Sequence, residues 1–269
     1  MYIGDTSSKG LHHLIYEVVD NSIDEAMAGF CSEISITIKN NGYVLIKDNG
    51  RGIPVDIHPT EGISAATVVL TQLHAGGKFD NDTYKVSGGL HGVGISVVNA
   101  LSSHLKMTIH RNNKVYEQNF YKGLFEEDLK EIGETKKNGT IIEFLPDDSI
   151  FEEIIFNFET LQKRLQEIAY LNSNLTIIFK DERINKKDIY HYEGGIKDFV
   201  KNLSSNNKLI SDIIYFDFKS ENIEAEVSIV YTDRYDDRLR SFVNNIKTKY
   251  GGSHETGFRA GLTRVITKY

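Results

Sequence analysis

The spacing of apolar positions predicts that the chain begins with a helix followed by a β-hairpin. Apolar residues recur at helical intervals from about Leu11 to Ala28, and the segment Thr6–Ser8 offers N-cap residues in front of them. Apolar and polar residues then alternate over 33–38 and again over 43–48. The two alternating runs flank the turn-forming segment 40–42, as in a hairpin.

The rest of the chain mixes predicted helices and strands without a regular alternation between them. The predicted helices cover about 63–73, 93–101, 158–170, 194–203 and 254–268. The predicted strands cover about 106–111, 115–121, 140–145, 175–180, 213–218, 224–231 and 241–245. This order predicts an α+β fold with a mostly antiparallel sheet, because a parallel wound sheet requires repeated strand-helix-strand units.

Two other features of the pattern concern domains and loops. The segment 74–91 has little periodicity, and we expect a long functional loop there, because compact domains rarely contain loops of more than about 12–15 residues without a purpose. We predict a domain boundary near Glu193–Gly195, which gives domains of 1–194 and 195–269.

Composition narrows the class of protein. The chain has 269 residues, 40% apolar and 26% charged, which is typical of a globular protein with one large domain or two smaller ones. No apolar run approaches the ~20 residues that a membrane span requires. The N-terminal residues do not form a signal-peptide pattern, and the single Cys31 fits a reducing cytoplasm.

Charge argues against nucleic-acid binding over the whole surface, because the net charge is −7. The segment 234–269 differs from the rest. It contains eight Lys and Arg but only three Asp and Glu, a local charge of +5. That surplus is typical of a surface facing DNA phosphates, and an ordinary solvated helix face explains it equally well.

Three short blocks carry the candidate chemistry, and the first lies on the first predicted helix. His13, Glu17 and Asn21 recur every four residues, so their side chains share one helix face. A carboxylate beside an imidazole can orient and deprotonate a water molecule. The amide oxygen of Asn21 is a hard ligand suited to Mg²⁺.

The second block is the segment DNGRGIP at 48–54. Asp48 ends an alternating strand, and Gly50 and Gly52 allow the backbone to turn sharply and approach a flat ligand. A carboxylate in that position can accept a hydrogen bond from an exocyclic amine such as that of adenine. Taken alone, the segment is equally well interpreted as an ordinary turn.

The third block is the glycine-rich segment SGGLHGVG at 87–94, which precedes an apolar helix. Its backbone N–H groups and the positive end of the helix dipole are expected to form a cradle for an anion. The block matches neither the P-loop nor the Rossmann pattern. Lys78, Tyr84 and Lys85 precede it and are candidates to close over phosphates.

Together these blocks resemble the three ATP-site motifs of the GHKL ATPase superfamily. Longer segments, among them GLHHLIYEVVDNSIDEA and GGLHGVGISVVNALS, are similar to the ATPase subunits of bacterial type IIA topoisomerases. That family comprises DNA gyrase B and its paralogue ParE of topoisomerase IV. The resemblance covers the whole chain, and the segment VDIHPTEGISAATVVLTQLHAGGKF favours the gyrase branch.

The resemblance implies a role for each matching residue. Glu17 is the expected general base, His13 orients the attacking water, and Asn21 is the expected Mg²⁺ ligand. Asp48 is expected to bind the adenine amine. The remaining expected ATP contacts are Glu25, Arg51, Gly52, Ile53, Pro54, Lys78, Tyr84, Lys85, Leu90, His91, Gly92, Val93, Gly94 and Thr140. Glu25 and Arg51 are expected to form an ion pair beside the adenine. Arg111, with Arg51, occupies the position where aminocoumarin inhibitors contact the family.

The resemblance also implies the fold, activity and partners. We expect a GHKL (Bergerat) sandwich of helices on a mostly antiparallel sheet, followed by part of a transducer domain with a ribosomal-protein-S5-like fold. The implied cofactors are ATP and Mg²⁺. The implied activity is ATP-driven strand passage and negative supercoiling in the cytoplasm, without a membrane. The implied partners are double-stranded DNA, the gyrase A subunit in an A2B2 assembly and a second gyrase B protein in an ATP-dependent homodimer.

Departures from the family pattern leave alternatives open. The N-terminal arm that normally precedes MYIG and the later transducer lysine are absent from the sequence, so we expect an N-terminal fragment that binds nucleotide but dimerises and hydrolyses ATP poorly. A ParE protein, which acts in decatenation, is the closest alternative. A nucleotide-binding module with little turnover is another. A histidine kinase is disfavoured because the sequence has no phosphoacceptor-histidine hairpin before the first block. The chaperone and mismatch-repair branches are disfavoured because they lack the segment GGLHGVGISVVNALS that this chain contains.

Overall fold

The structure is a computed structural model that describes residues 5–73, 94–221 and 223–269. Its helices are α1 (Ser8–Met27), α2 (Ala65–Thr71), α3 (Gly94–Ala100), α4 (Phe158–Leu171), α5 (Ile196–Leu203) and α6 (Ser253–Lys268). Its first nine strands are β1 (Glu33–Ile38), β2 (Val44–Asp48), β3 (Ser102–Arg111), β4 (Lys114–Tyr121), β5 (Leu124–Phe125), β6 (Lys130–Glu134), β7 (Gly139–Pro146), β8 (Thr176–Asp181) and β9 (Lys186–Tyr190). The others are β10 (Ile214–Lys219), β11 (Glu224–Ile229), β12 (Phe242–Val243) and β13 (Ile246–Lys247).

Helix α1 starts close to where the sequence predicts it. The hydroxyl of Ser7, the N-cap residue, accepts a hydrogen bond from the backbone N–H of Lys9 at 3.3 Å, which satisfies one of the free donors at the helix start. Its apolar residues lie on one face and are buried. Because these side chains pack into the core, the opposite edge of the helix is left for polar residues.

The first nine strands form one sheet in the order β5-β4-β3-β7-β2-β1-β8-β9, with β6 also paired to β4. All of its pairings are antiparallel except that of β1 with β8. The mostly antiparallel α+β prediction is therefore confirmed. Strand β9 and the short strands β5 and β6 were not predicted.

Strand register aligns one apolar face across the centre of the sheet. Ile36 pairs with both Phe179 and Ile46, and Ile142 pairs with both Ile46 and Met107. All five side chains are at most 2% exposed. Since side chains alternate between sheet faces, the remaining inward residues of these strands face the same core as the buried face of α1.

The chain divides into two compact units, Met1–Phe199 and Val200–Tyr269. This division lies a few residues beyond the predicted boundary after residue 194, which stays a prediction. The first unit contains the large sheet and the main apolar core. In the second, β10 pairs with β11 and β12 pairs with β13. Among the helices of the described ranges, none is long and apolar enough to cross a membrane.

One predicted element of the second unit is wrong. The sequence predicts a single strand over 241–245, whereas the structure has the two-residue strands β12 and β13 with a turn between them. Asn244 and Asn245 both adopt positive φ, at 49° and 65°. Two consecutive left-handed residues reverse the chain tightly, and asparagine tolerates that conformation better than most residues.

Candidate functional site

Asp48, at the end of β2, is a buried candidate side chain that carries a charge. Alternation places it on the same face as Val44 and Ile46, so a carboxylate ends an otherwise apolar row, and it is only 8% exposed. Its Oδ1 accepts hydrogen bonds from the backbone N–H groups of Gly50 at 2.9 Å and Thr140 at 3.2 Å. Its Oδ2 accepts one from the hydroxyl of Ser22 at 3.1 Å.

Burial nevertheless dominates the electrostatics of Asp48. Loss of hydration raises the pKa of its carboxyl above the ordinary value, while the bonds from Gly50, Thr140 and Ser22 act in the opposite direction. The ionised carboxylate only accepts hydrogen bonds, and its Oδ2 accepts just one, from Ser22. A ligand that donates a hydrogen bond to this buried oxygen would therefore stabilise it.

Two glycines let the surrounding backbone come close to Asp48. A Cβ at Gly139, where φ is 134°, would overlap the carbonyl oxygen of Asp48. At Gly52, where φ is 77°, a Cβ would lie 2.8 Å from the carbonyl oxygen of His110. Only glycine fits these positions without moving backbone, so the turn after β2 and the start of β7 are held together around the carboxylate.

The predicted face of α1 is present in the structure. His13 and Glu17 are half-buried, Asn21 is exposed, and the Asn21 Nδ2 donates to the Glu17 carbonyl oxygen at 3.0 Å. Burial, and after it the nearby Asp20 carboxylate, raises the pKa of Glu17 to about 7. Burial lowers the pKa of His13, which favours its neutral imidazole. A carboxylate with that pKa is suited to act as a base near neutral pH.

Helix α3 brings Gly94 against this face. A Cβ at Gly94 would overlap Oε2 of Glu17, so the carboxylate lies directly against the first residue of the helix. The structure thus joins one residue of the glycine-rich block to the predicted general base. The other candidates from that part of the sequence lie outside the described residues: Lys78, Tyr84, Lys85, Leu90, His91, Gly92 and Val93.

The predicted ion pair between Glu25 and Arg51 is also present. The Arg51 Nη2 and Nε donate to the two Glu25 carboxylate oxygens at 2.8 and 3.1 Å. The guanidinium carbon of Arg51 also lies 3.9 Å from the centre of the Phe30 ring, so Arg51 is held by both Glu25 and Phe30. Arg111 donates from Nη1 to the Gly52 carbonyl oxygen at 2.6 Å. These contacts fix the turn that follows Asp48.

The remaining predicted residues border the same turn. Ile53 and Pro54 are half-buried, and Ile53 packs against the apolar core. Thr140 is 8% exposed and contributes its backbone N–H to Asp48. The described candidates therefore form two groups, one around Asp48 and one around Glu17, both contacting α1.

Three neighbouring residues were not predicted. Ser22 donates a hydrogen bond to Asp48, Phe30 stacks on Arg51, and Asp20 is a half-buried residue whose pKa is raised by burial to about 6. The sequence does carry a signal for Ser22, because it is a polar residue on the apolar face of α1. Asp20 lies within α1 and Phe30 follows its end, and neither residue belongs to a sequence pattern.

Asn21 fits the Mg²⁺ position that the sequence predicts. Its Nδ2 is engaged by the Glu17 carbonyl oxygen, and the side chain is exposed, so its Oδ1 is the atom left for a cation. Mg²⁺ in nucleotide sites commonly takes one protein ligand and completes its shell with phosphate oxygens and water. A single amide oxygen is compatible with that chemistry.

The fold and the arrangement of the candidate residues together indicate the class of protein. The buried Asp48 carboxylate of the mostly antiparallel sheet is hydrogen-bonded to α1, which also carries the predicted base Glu17. This placement is compatible with the GHKL resemblance. The comparison with known families agrees. Residues 6–149 match the family described as histidine kinase-, DNA gyrase B- and HSP90-like ATPase, and the chain belongs to that family. Residues 195–269 match the family described as DNA gyrase B.

Individual relatives point to the gyrase branch. The chain is 58% identical to the B subunit of DNA gyrase from Campylobacter jejuni and 56% identical to that from Helicobacter pylori, over all of this chain and 35% of each relative. It is similar to the 43K ATPase domain of Thermus thermophilus gyrase B, solved in complex with an aminocoumarin. That similarity has a TM-score of 0.88 and 34% identity, and covers 100% of this chain and 70% of the other.

Proposed function

We propose that the chain binds ATP with Mg²⁺, hydrolyses it, and supplies the ATP-operated part of a gyrase B protein. The observation that carries the proposal is the buried Asp48 carboxylate, held by three donors with Oδ2 accepting only one of them. An all-acceptor group in an apolar wall favours a flat ligand with an exocyclic amine, which adenine provides. Membership of an ATPase family supports the same ligand.

Hydrolysis is assigned to the other group on α1. Glu17, with a pKa of about 7, accepts a proton from the water that attacks the γ-phosphate. Neutral His13, one helical turn away, orients that water. Because phosphoryl transfer depends mainly on positioning and electrostatics, these two side chains need only hold the water in line and remove its proton.

Asn21 would hold Mg²⁺ through its Oδ1, and the cation would neutralise charge on the phosphate oxygens. Lys78, Lys85 and the segment Leu90–Gly94 are proposed to contact the β- and γ-phosphates, and Tyr84 the adenine. Glu25, Arg51, Gly52, Ile53, Pro54 and Thr140 are proposed to border the base. Arg111 is proposed, with Arg51, as an aminocoumarin contact, since the similar Thermus thermophilus domain was solved with such a compound.

The chain spans about 35% of the length of the curated gyrase B relatives, so the role of the whole protein extends beyond its residues. We propose that role to be ATP-driven strand passage and negative supercoiling in the cytoplasm. The proposed partners are double-stranded DNA, the gyrase A subunit in an A2B2 assembly and a second gyrase B protein. The basic segment 234–269 supports DNA as a partner, although Arg234, Arg238 and Arg259 are engaged in ion pairs.

Calorimetric titration with a non-hydrolysable ATP analogue and Mg²⁺ tests the nucleotide site. The wild-type chain is expected to bind, and Asp48→Ala is expected to lose binding because the base loses its acceptor. Asp56→Ala is the matched control, since Asp56 is an exposed aspartate nearby. Equal binding by wild type and Asp48→Ala would contradict the proposal.

Reconstitution tests the assignment to gyrase. The full-length protein, combined with the cognate gyrase A protein and DNA, is expected to introduce negative supercoils in the presence of ATP. Decatenation without supercoiling would assign the chain to ParE instead.

A further inference from the structure

Ser22 is a polar residue on the face of α1 that packs into the core. It follows Val18 and Val19 on that face, precedes Ile23, and is only 4% exposed. Its hydroxyl donates to Oδ2 of Asp48 at 3.1 Å. None of the family-implied roles includes this residue, so its contribution has to be derived from the contacts themselves.

The direction of this hydrogen bond follows from the chemistry of the pair. An ionised carboxylate only accepts, so the one proton of the Ser22 hydroxyl points at Asp48. The Ser22 Oγ is then left with lone pairs alone. Oδ1 of Asp48 already accepts two backbone N–H groups, from Gly50 and Thr140. The side-chain atoms that remain for a ligand at this point, Oδ2 of Asp48 and Oγ of Ser22, are both acceptors.

We propose that Ser22 is a specificity-determining residue that makes the site prefer a 6-amino purine over a 6-oxo purine. The inference rests on the proposed function, since it concerns the base that the same site binds. An amino group brings donors to two adjacent acceptors. A 6-oxo group brings a third acceptor, and Ser22 could donate to it only by leaving Asp48. A buried carboxylate would then lose one of its three hydrogen bonds.

Substitution of Ser22 by alanine should therefore change the choice of base more than the fold. Alanine favours helix, and the backbone donors of Gly50 and Thr140 still hold Asp48 in place. The 6-amino purine loses an acceptor, while the 6-oxo purine loses a repulsive neighbour. A hydrogen bond to a charged group is worth about tenfold or more in affinity, so a change of about tenfold in the preference is expected.

The pH dependence gives a second signature. The groups that act on the pKa of Asp48 are the donors of Ser22, Gly50 and Thr140, which lower it, and the carboxylate of Glu25, which raises it. Loss of the Ser22 bond raises the pKa of Asp48 further, because that bond favours the ionised form. A protonated Asp48 can donate to a 6-oxo group. In Ser22→Ala, binding of the 6-oxo purine should therefore improve as the pH falls.

The test is calorimetry with Mg²⁺ and two non-hydrolysable triphosphate analogues that differ only in carrying adenine or hypoxanthine. Wild type should prefer the adenine analogue strongly, and Ser22→Ala should lose about tenfold of that preference. Ser22→Thr, which keeps a hydroxyl, should keep the preference. Ser102→Ala is the matched control. Ser102 is also buried and hydrogen-bonded, but its hydroxyl donates to the Val98 carbonyl oxygen and does not contact Asp48.

The outcomes separate this inference from the proposed function. If wild type binds the adenine analogue and Ser22→Ala keeps the same base preference at every pH, the role of Ser22 is wrong and the nucleotide site stands. An equal loss of both analogues would assign Ser22 a structural role and also overturn the inference. If wild type binds neither analogue, both proposals fail.

Discussion

Glu17 acquires a pKa of about 7 from its surroundings on α1. It is half-buried, the Asp20 carboxylate lies one turn further along the helix, and Gly94 of α3 covers one of its oxygens. Burial and the like charge both disfavour the ionised form. The same packing that raises the pKa also fixes the carboxylate in one place, which a general base requires.

The pH dependence of ATP turnover follows from this pKa. Glu17 must be ionised to accept a proton, so turnover is expected to be full well above pH 7, about half-maximal near pH 7, and lost as the pH falls further. Glu17→Gln should lower turnover by about 10²–10⁴-fold while leaving nucleotide binding unchanged. Phosphate release at saturating ATP measures both effects. Glu33→Gln, an exposed glutamate on β1, serves as control, and a pH-independent wild-type rate across this range would contradict the assignment.

At this scale, sequence reasoning locates residues that repeat or end a pattern. The sequence predicts that His13, Glu17 and Asn21 share a face because they lie four residues apart, and Asp48 stands out because it ends an alternating strand. Ser22 was not predicted, because a serine on the apolar face of α1 does not by itself show which residue its hydroxyl contacts. Only the structure shows that the Ser22 hydroxyl of α1 lies 3.1 Å from Oδ2 of Asp48 at the end of β2.

At the scale of elements, the approach of α3 to α1 depends on a glycine. Gly94 starts α3, and a Cβ there would overlap Oε2 of Glu17. The overlapping atom belongs to a flexible side chain, so a substitution is expected to displace the carboxylate rather than unfold the protein. Activity and stability should therefore separate at this position.

Gly94→Ala tests that separation. Alanine favours helix over glycine by up to about 1 kcal/mol, so stability should be unchanged or slightly higher, while turnover falls because Glu17 is moved. Denaturant unfolding and phosphate release measure the two quantities. Gly257→Ala in α6 is the matched control, because a Cβ there meets nothing within 4 Å. Normal turnover in Gly94→Ala would show that the contact does not position the base.

Helices and strands were predicted well where a long apolar periodicity defines them, and poorly where a short turn sets their ends. The helices α1 and α4 and the strands β1 and β2 lie within a few residues of their predicted bounds. The pair Asn112–Asn113 lies between the predicted strands 106–111 and 115–121, and both residues have positive φ. The pair Asn244–Asn245 makes a similar turn, but the prediction includes it in a strand because its apolar neighbours resemble one. Both Asn-Asn pairs therefore form turns, although the flanking residues of the second pair have a strand-like pattern.

At the scale of the whole chain, burial is distributed unequally between the two units. The buried apolar residues among those described lie between Leu11 and Tyr190. In the described part of the second unit, Ser204 is the only buried residue, and large apolar side chains such as Phe218, at 60%, and Val265, at 67%, are exposed. Since apolar burial is the main source of stability, the second unit has little to stabilise it within this chain.

Hydrogen exchange on the 269-residue chain should therefore differ between the two units. Amides in the large sheet are expected to be strongly protected, whereas those of β10, β11 and α6 should exchange with little protection.

A non-hydrolysable ATP analogue at a hundred times its Kd should add about 2.7 kcal/mol of protection to the most protected amides of the first unit, because it binds only the folded site. The second unit contains none of the described site residues, so its exchange should stay unchanged. Equal protection of both units without nucleotide would contradict this view of the core, and an equal increase in both on binding would show that they unfold together.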